Sequence, residues 1–537
     1  MTILVVANST VENSVVPNGT DDRSTSQMSV VESGQTPPVT DFDVLVVGGG
    51  TAGSVIAARL CADPGRRVGV LEWGPSDVDE PRALQIARWP EMLEGEYDLD
   101  YRSVPQERGN SNIRQARATI LGGCSSVNTM IAWKPLASDL REWVAAGARG
   151  WEPSVILPYW DRLAAPITPV APEHRNPLVE LGVRSAVSAL GVPRRETWND
   201  LPGDLVEGAG FFEIGYDPAT GVRSSASVSY LHPVLGRENL HVLLRRRALR
   251  LEFEGTRAKA VVCEGGERFT AREIVLSCGA IDTPRLLLLS GVGPAGVLKE
   301  AGVDLVLDRP GVGENLQDHA EGLTVFEIDC DVPDVRATDW DAGVLARVDE
   351  NADRPDVLMH LPVTTVGGQA EAQGAVLPPR NLSMASNVAK PRSRGRVWID
   401  SGDPTRPPLI DYRYFTDPDG HDERMLVAGI RLARRIAAAE PLARHIVREV
   451  FPGPDAQTDE EISRIERAAH QTVYHVSGTC RMGRPDDPDA VVDPELRVIG
   501  LEGLRIADAS VFPTVTAVNP VGTVLVLAER AADLIVG

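Results

Sequence analysis

Residues 44–53 of this chain read VLVVGGGTAG, and this stretch decides the fold. Its first four residues are a short, mostly β-branched apolar run that ends at glycines, which is typical of a buried parallel strand. Beyond the glycines, apolar residues recur at Ala52, Ile56 and Leu60, on one face of a helix. Residues 68–71 are a second short apolar run, which predicts another buried strand. The order of strand, helix and strand predicts a β-α-β unit.

The glycines of this stretch match G-x-G-x-x-G, a pattern that binds dinucleotides when it joins a strand to a helix. They allow a tight turn and the close approach of a pyrophosphate to the positive helix N-terminus. An acidic residue is expected about 20 positions later to hold the ribose hydroxyls, and Glu72 lies 19 residues after Gly53. The pattern does not distinguish NAD from FAD. The predicted dinucleotide-binding residues are Gly48, Gly50, Thr51, Ala52, Gly53 and Glu72.

Length and charge restrict the class of protein. A chain of 537 residues is long enough for one very large unit or two to three domains. Hydrophobic residues make up 43% and charged residues 24%, which is close to the globular average. The formal net charge of −22 argues against binding to a phosphate backbone, so we expect no nucleic-acid partner.

Cysteine usage and the apolar runs indicate the compartment. Six cysteines occur without a CxxC pair or a dense cluster, so we predict neither a disulfide framework nor a metal site. The apolar runs are shorter than the roughly 18 to 20 residues that a membrane helix needs. Residues 1–40 have no sustained period and predict a disordered tail. We therefore expect a cytoplasmic protein without a membrane partner.

Two later segments carry weaker predictions. Residues 273–277 read as a buried strand, followed by a turn at Gly279. A Leu-rich helix is predicted to begin at Thr283-Pro284, because proline is tolerated in a first helical turn. Residues 331–379 show no clean period of 2 or 3.6, which predicts an irregular part of a second domain.

Five further groups of motifs lie outside the first unit. They are Gly122-Gly123-Cys124-Ser125-Ser126 with Asn128; Gly279-Ala280-Ile281-Asp282-Thr283-Pro284 running to Gly293-Pro294; Gly313-Glu314-Asn315-Leu316-Gln317-Asp318-His319; Tyr474-His475 with Gly478-Thr479 and Arg481-Met482-Gly483; and Asp508-Ala509-Ser510 to Val518-Asn519-Pro520. Together they resemble the glucose-methanol-choline (GMC) family of flavin oxidoreductases, and most closely its choline-oxidising members. The resemblance extends from about residue 41 to the C-terminus.

The resemblance implies an α/β fold in which a Rossmann-type FAD-binding domain is interleaved with a second, α+β substrate domain. On this basis residues 41–164, 236–320 and 471–537 are predicted to form the FAD-binding domain. Residues 165–235 and 321–470 are predicted to form the substrate domain.

The resemblance also implies which residues contact FAD. Choline-oxidising members attach FAD covalently through a histidine just before the asparagine of the Gly122 segment. Val127 occupies that position here and has no nucleophilic nitrogen, so we predict non-covalent FAD. The further flavin contacts implied by the family are Gly122, Gly123, Ser126, Asn128, Thr129 (which replaces a serine), Asp508, Ala509 and Pro520.

Alcohol oxidation requires a group that takes the hydroxyl proton, because an alcohol is too weak an acid to ionise near neutral pH. His475 matches the catalytic histidine of the family, and Asn519 matches its partner. They are predicted to stabilise the developing alkoxide. His319 is expected to pack or to form hydrogen bonds, and His232 to be structural.

The resemblance places a cation-binding pocket at five residues. Glu321 matches a carboxylate that faces the substrate ammonium group, and aromatic faces around a carboxylate suit a cation. The alternative is that Glu321 is a solvated loop acid and the tryptophans are core residues. Val366 stands about where the family has a pocket phenylalanine, which leaves room for a larger alcohol. The predicted substrate contacts are Glu321, Trp89, Trp340, His360 and Tyr474.

These observations predict an FAD-dependent oxidase or dehydrogenase of a small primary alcohol, with a choline-like substrate first and a larger amino alcohol or amino-sugar alcohol second. A hydroxynitrile lyase with structural FAD and an NAD-dependent reductase that shares only the first β-α-β unit remain as alternatives. Val473 resembles the oxidase branch, although the motifs do not identify the electron acceptor. A homodimer is left open.

Overall fold

The computed structural model describes residues 40–200, 204–362 and 367–537. The predicted disordered tail, apart from Thr40, and the pocket position Val366 lie outside the described residues.

Eleven α-helices occur in the described part of the chain. They are α1 Thr51–Leu60, α2 Pro81–Leu84, α3 Ala137–Ala145, α4 Pro153–Ile156, α5 Pro177–Leu190, α6 Gly279–Leu289, α7 Ala295–Ala301, α8 Gly368–Ala372, α9 His421–Ala437, α10 Asp459–Ala469 and α11 Val521–Val536. None of these described helices is long and apolar enough to span a membrane.

The described part of the chain also contains 23 β-strands. They are β1 Asp41–Val47, β2 Val68–Leu71, β3 Tyr101–Arg102, β4 Arg114–Gln115, β5 Thr168–Pro169, β6 Arg194–Arg195, β7 Gly208–Phe211, β8 Glu213–Ile214, β9 Leu240–Leu243, β10 Ala248–Glu254, β11 Arg257–Cys263, β12 Arg268–Leu276, β13 Val292–Gly293, β14 Leu307–Asp308, β15 Ala320–Ile328, β16 Ala342–Ala346, β17 Val357–His360, β18 Asn381–Val388, β19 Arg396–Trp398, β20 Leu409–Asp411, β21 Ile446–Phe451, β22 Gln471–Thr472 and β23 Leu504–Ile506.

The first large sheet contains the predicted β-α-β unit. Its strand order is β10-β11-β12-β1-β2-β9, and β23 pairs with the end of β12. Strands β12, β1, β2 and β9 run parallel, as the buried apolar runs predict. Strand β1 lies in the middle, with Val46 opposite both Val70 and Val275. This sheet is the Rossmann-type half of the α/β fold that the sequence predicts.

Helix α6 differs from its prediction, because it begins at Gly279 rather than at Thr283-Pro284. Pro284 therefore lies inside the helix, where it has no N–H to donate to the carbonyl oxygen of Ala280. The hydroxyl of Thr479 donates to that oxygen instead, at 2.6 Å. A distant side chain thus replaces the missing backbone donor, and the helix continues through the proline.

The second large sheet is mostly antiparallel, with the order β21-β15-β18-β17-β16-β7-β6 and with β22 paired to β15. Helices α5 and α9 pack against one of its faces. A Cβ atom on Gly322 of β15 would lie 2.7 Å from Leu426 of α9, so Gly322 faces that helix. Side chains alternate along a strand, so the neighbouring Glu321 lies on the opposite face.

The segment 331–379 is more regular than predicted, since it contains β16, β17 and α8. Every residue of β16 and β17 is buried. Strands that are covered on both faces have no alternation of apolar and polar residues, and this explains why no period was visible in the sequence.

Candidate active site

The glycine turn between β1 and α1 joins the two elements closely. Gly48 has a φ of +99°, in the left-handed region that favours glycine. A Cβ atom on Gly53 would lie 1.9 Å from the carbonyl oxygen of Gly48. Gly50 is the N-cap residue of α1 and offers no side chain to accept from the first N–H groups of the helix. The first turn of α1 also carries no acidic residue. The N–H groups of Thr51 and Ala52 thus belong to a helix N-terminus that suits an anion.

Glu72 follows β2 and holds the glycine turn. Its two carboxylate oxygens accept hydrogen bonds from the backbone N–H of Gly49 at 2.8 Å and of Gly74 at 2.7 Å. Burial raises the pKa of Glu72 to about 7. Each oxygen retains a further lone pair that can accept from a ribose hydroxyl.

The second glycine segment lies directly against the first. The N–H of Gly122 donates to the carbonyl oxygen of Gly49 at 2.8 Å, and both Gly122 and Gly123 have positive φ. A Cβ atom on Gly123 would lie 2.8 Å from the Cα atom of Gly50. The two segments form a cradle that side chains would fill, next to an open helix N-terminus and a buried carboxylate. These features fit the FAD that the family resemblance implies.

The residues after this cradle are ordered by local hydrogen bonds. The hydroxyl of Ser126 donates to the carbonyl oxygen of Leu121 at 2.8 Å. The side-chain oxygen of Asn128 accepts from the N–H of Met130 at 3.0 Å. Asn128 and Thr129 are half-buried.

Asp508 is buried just after the end of β23 and joins the C-terminal part of the chain to the start of α6. Its carboxylate accepts from the N–H of Gly279 at 2.9 Å and from the hydroxyl of Thr283 at 2.6 Å. Ala509 follows it in a short 3-10 helix, and Pro520 precedes α11.

Arg223 is a buried residue of this region that sequence reasoning missed. It is fully buried and donates to the carbonyl oxygens of Ala83, Ser125 and Asn128. Among the described residues it forms no ion pair, and burial lowers its pKa to about 9. No motif surrounds it in the sequence, so only its contacts with Ser125 and Asn128 reveal it.

His475 and Asn519 lie side by side, although 44 positions separate them. The Nδ2 atom of Asn519 is 3.3 Å from Nε2 of His475, and Nδ1 of His475 is 2.9 Å from Nδ1 of His319. Burial, with His319 and His360 nearby, lowers the pKa of His475 well below its ordinary value. The imidazole is therefore neutral at pH 7. His319 has the hydrogen-bonding position that its sequence context indicated.

Asp318 fixes the backbone at His475. One of its carboxylate oxygens accepts from the N–H of His475 at 2.8 Å, and the other from the hydroxyls of Tyr414 and Thr472. Burial raises the pKa of Asp318 to about 6, so it is ionised at neutral pH. The motif around His319 thus supplies two neighbours of His475.

Glu321 is buried on β15 with 1% of its surface exposed, so it is not a solvated loop acid. Its Oε2 atom accepts from Nε2 of Gln471 at 2.8 Å, and Oε1 accepts no hydrogen bond within the described structure. Nδ1 of His360 lies 3.9 Å from Oε1 and 3.3 Å from Nδ2 of Asn387. Burial raises the pKa of Glu321 to about 8.

The aromatic candidates are connected to this carboxylate to different degrees. The rings of Trp340 and His360 lie edge to face, with centroids 5.2 Å apart. The indole N–H of Trp89 donates to the carbonyl oxygen of Thr338 and so joins the same loop. Tyr474 has a φ of +64° and is 39% exposed. Burial, with the carboxylates of Asp98 and Glu321 nearby, raises the pKa of Tyr474 to about 12. The structure therefore joins Glu321 to His360 and His360 to Trp340, with Trp89 bound to the loop before Trp340.

Comparison with known families agrees with this architecture. The N-terminal and C-terminal models described as GMC oxidoreductase match residues 42–321 and 391–528. The fold and the site define an FAD-dependent alcohol oxidoreductase. The chain belongs to the GMC oxidoreductase family, as its motifs predicted. A match to both models argues against an NAD-dependent reductase that shares only the first unit, and the relatives do not favour a lyase.

Individual relatives cover nearly the whole chain. Choline oxidase of Arthrobacter globiformis is 44% identical over 521 residues, which is 92% of this chain and 94% of that protein. Oxygen-dependent choline dehydrogenase of Brucella ovis is 34% identical, over 93% of this chain and 96% of that protein. The crystal structure of pyridoxine 4-oxidase from Mesorbium loti is 31% identical, with a TM-score of 0.85, 92% coverage of this chain and 98% of that chain.

Proposed function

We propose that this enzyme oxidises a primary alcohol bearing a cationic nitrogen, such as choline, to the corresponding aldehyde. The observation that carries the proposal is the buried carboxylate of Glu321, whose Oε1 atom accepts no hydrogen bond among the described residues and lies 3.9 Å from Nδ1 of His360, the ring of which packs against Trp340. A buried carboxylate with a free oxygen gains most from a cation that cannot donate a hydrogen bond, such as a quaternary ammonium group. The names of the two choline-oxidising relatives support the same substrate class.

In the proposed reaction, His475 takes the hydroxyl proton. Its lowered pKa keeps the imidazole neutral, so a lone pair is available on Nε2 at physiological pH. The NH₂ group of Asn519 lies 3.3 Å from that nitrogen. When the alcohol hydroxyl occupies the lone pair, this NH₂ group can donate instead to the alkoxide that develops as the proton leaves. FAD, when bound, supplies the acceptor for the hydride from the carbinol carbon.

We propose that FAD is held without a covalent bond. Val127, at the position of the attachment histidine, is aliphatic and packs with Ala83, Met92 and Ile120. Acid precipitation of the yellow enzyme should release the flavin into the supernatant. Flavin that stays in the protein pellet would contradict this proposal. The residues that would hold FAD are Gly48, Gly50, Thr51, Ala52, Gly53, Glu72, Gly122, Gly123, Ser126, Asn128, Thr129, Asp508, Ala509 and Pro520.

The proposal assigns the two binding tasks to two domains, with His475 and Asn519 of the FAD-binding domain facing the alcohol. Residues 41–164, 236–320 and 471–537 would bind FAD, and residues 165–235 and 321–470 would bind the alcohol. All six cysteines are free thiols in the structure. They support a reducing, cytoplasmic location, which cell fractionation tests.

A matched pair of alcohols tests the substrate class. Choline and 3,3-dimethylbutan-1-ol have the same shape, but only choline is charged. Under anaerobic conditions we expect choline to bleach the flavin at a far lower concentration than the neutral alcohol. Equal concentration dependence would contradict the cationic substrate, and a flavin left oxidised by every alcohol would contradict the oxidation itself. A larger amino alcohol in the same screen tests the second substrate class.

A further inference from the structure

We propose that Trp133 is a positioning residue, which sets the orientation of the Asn519 amide and through it the proton-accepting form of His475. The inference deepens the proposed function and rests on it. The indole Nε1 of Trp133 donates to Oδ1 of Asn519 at 3.1 Å. Nδ2 of the same amide is 3.3 Å from Nε2 of His475. No family motif marked Trp133 in the sequence.

The orientation follows from the hydrogen-bonding capacity of each group. An indole nitrogen can only donate, so the amide must turn its oxygen toward Trp133. The NH₂ group of Asn519 then faces His475. An NH₂ group also only donates, so Nε2 of His475 must carry a lone pair.

The same order continues beyond His475. A neutral imidazole with a lone pair on Nε2 carries its proton on Nδ1, and Nδ1 of His475 is 2.9 Å from Nδ1 of His319. The donors therefore point in one direction, from Trp133 through Asn519 and His475 to His319. Trp133 is the first donor in this series of hydrogen bonds, and because its indole nitrogen cannot accept, the direction of the series cannot reverse.

The surroundings hold the indole in place. Trp133 is buried, and its ring lies 5.5 Å from the ring centroids of both Trp198 and Phe212. A Cβ atom on Gly522 of α11 would lie 2.1 Å from the carbonyl oxygen of Trp133, so the backbone is also tightly packed. Trp133 is therefore a rigid donor that fixes the direction of an amide which also contacts His475 and His360.

Trp133→Phe removes the N–H and keeps an aromatic ring. Trp198→Phe is the matched control, because Trp198 belongs to the same aromatic group but donates to the carbonyl oxygen of Phe211. We expect Trp133→Phe to slow anaerobic flavin reduction by up to about tenfold, the upper end of what one neutral hydrogen bond contributes, with little change in KM. Rates are expressed per bound FAD, and Trp198→Phe should stay within about twofold of the unmodified enzyme.

The pH profile distinguishes positioning from simple packing. Without the indole N–H, the amide can turn its oxygen toward Nε2 of His475, which stabilises the protonated imidazole and raises its pKa. With the neutral 3,3-dimethylbutan-1-ol, whose profile carries no Glu321 limb, the acid limb of kcat/KM should therefore move to higher pH in Trp133→Phe and remain in place in Trp198→Phe. Arg117, His319 and His360, which also lower the pKa of His475, are the same in both variants. An unshifted limb together with an unchanged rate would overturn the inference.

A double-mutant cycle separates this inference from the proposed function. If Trp133 acts through Asn519, adding Trp133→Phe to Asn519→Ala should cost nothing further. A fully active Asn519→Ala variant would refute the proposed function, whereas a slow Asn519→Ala beside a fast Trp133→Phe would refute only the role of Trp133. If Trp133→Phe does not fold, β-(3-benzothienyl)alanine at position 133 keeps the bicyclic shape and removes only the N–H, with the same expected results.

Discussion

At the scale of single residues, burial shifts the pKa values of two groups in the site, Glu321 and His475, in opposite directions. It raises the pKa of Glu321 to about 8 and lowers the pKa of His475, because a low dielectric favours the uncharged form of each. A neutral imidazole is the form that a base needs, whereas a neutral carboxyl group cannot attract a cation. His475 is therefore in its active form above a lowered pKa, whereas Glu321 is in its active form only above a raised pKa.

Glu321 should control the pH dependence with a cationic alcohol only. Its carboxylate is present above a pKa of about 8, so kcat/KM for choline should rise as pH increases through 8 and then level off. The neutral 3,3-dimethylbutan-1-ol should lack this limb. Glu321→Gln should remove the limb and should weaken the binding of choline but not of the neutral alcohol. The same limb with both alcohols would show that another group titrates.

His475→Ala should lower kcat by about 10² or more while FAD stays bound, because the hydroxyl proton loses its acceptor. Stopped-flow flavin reduction and the flavin absorbance spectrum measure the two effects separately. His445→Ala is a suitable control, since that histidine bonds to Asp329 near the surface, away from the site. Turnover that survives in His475→Ala would contradict its role as the base.

At the scale of elements, the first β-α-β unit could be predicted because local periodicity and glycine spacing determine it. The start of α6 could not be predicted in this way. The donor to the Ala280 carbonyl, which permits Pro284 inside the helix, is the hydroxyl of Thr479, 199 positions away. In the site, motifs marked His475 and Asn519. They did not mark Trp133, whose bond to Asn519 spans 386 positions and depends on tertiary packing.

The contact between α11 and Trp133 leads to a prediction about Gly522. Gly522→Ala would place a methyl group against the Trp133 carbonyl, and overpacking of this kind costs about 1–3 kcal/mol. We expect a lower thermal unfolding midpoint and slower flavin reduction per bound FAD. Gly296→Ala in α7 is the helical control, because nothing lies within 4 Å of its added Cβ atom. Equal behaviour of the two variants would contradict the tight packing of α11.

At the scale of the whole molecule, the net charge of −22 says little about the substrate. The part of it proposed to matter for binding is the single buried carboxylate of Glu321, which the charge total does not reveal. A second buried acid, Glu466 on α10, lies against β15, where its Oε2 atom accepts from the N–H of Leu323 at 3.0 Å. Its position depends on the packing of α10 on the second sheet, so the sequence alone did not identify it.

Glu466 should make the folded enzyme less stable as pH rises. Burial raises its pKa in the folded chain to about 8, whereas an unfolded chain has the ordinary value of 4.5. Between these values the folded state keeps a proton that the unfolded state releases, so the contribution of Glu466 is full below pH 4.5 and declines toward pH 8. In Glu466→Gln, urea unfolding midpoints should fall less between pH 5 and 8 than in the unmodified enzyme. Glu460→Gln, at an exposed position of the same helix, should keep the original slope. A slope that Glu466→Gln leaves unchanged would show that other groups cause the loss of stability, because an amide at this position cannot release a proton.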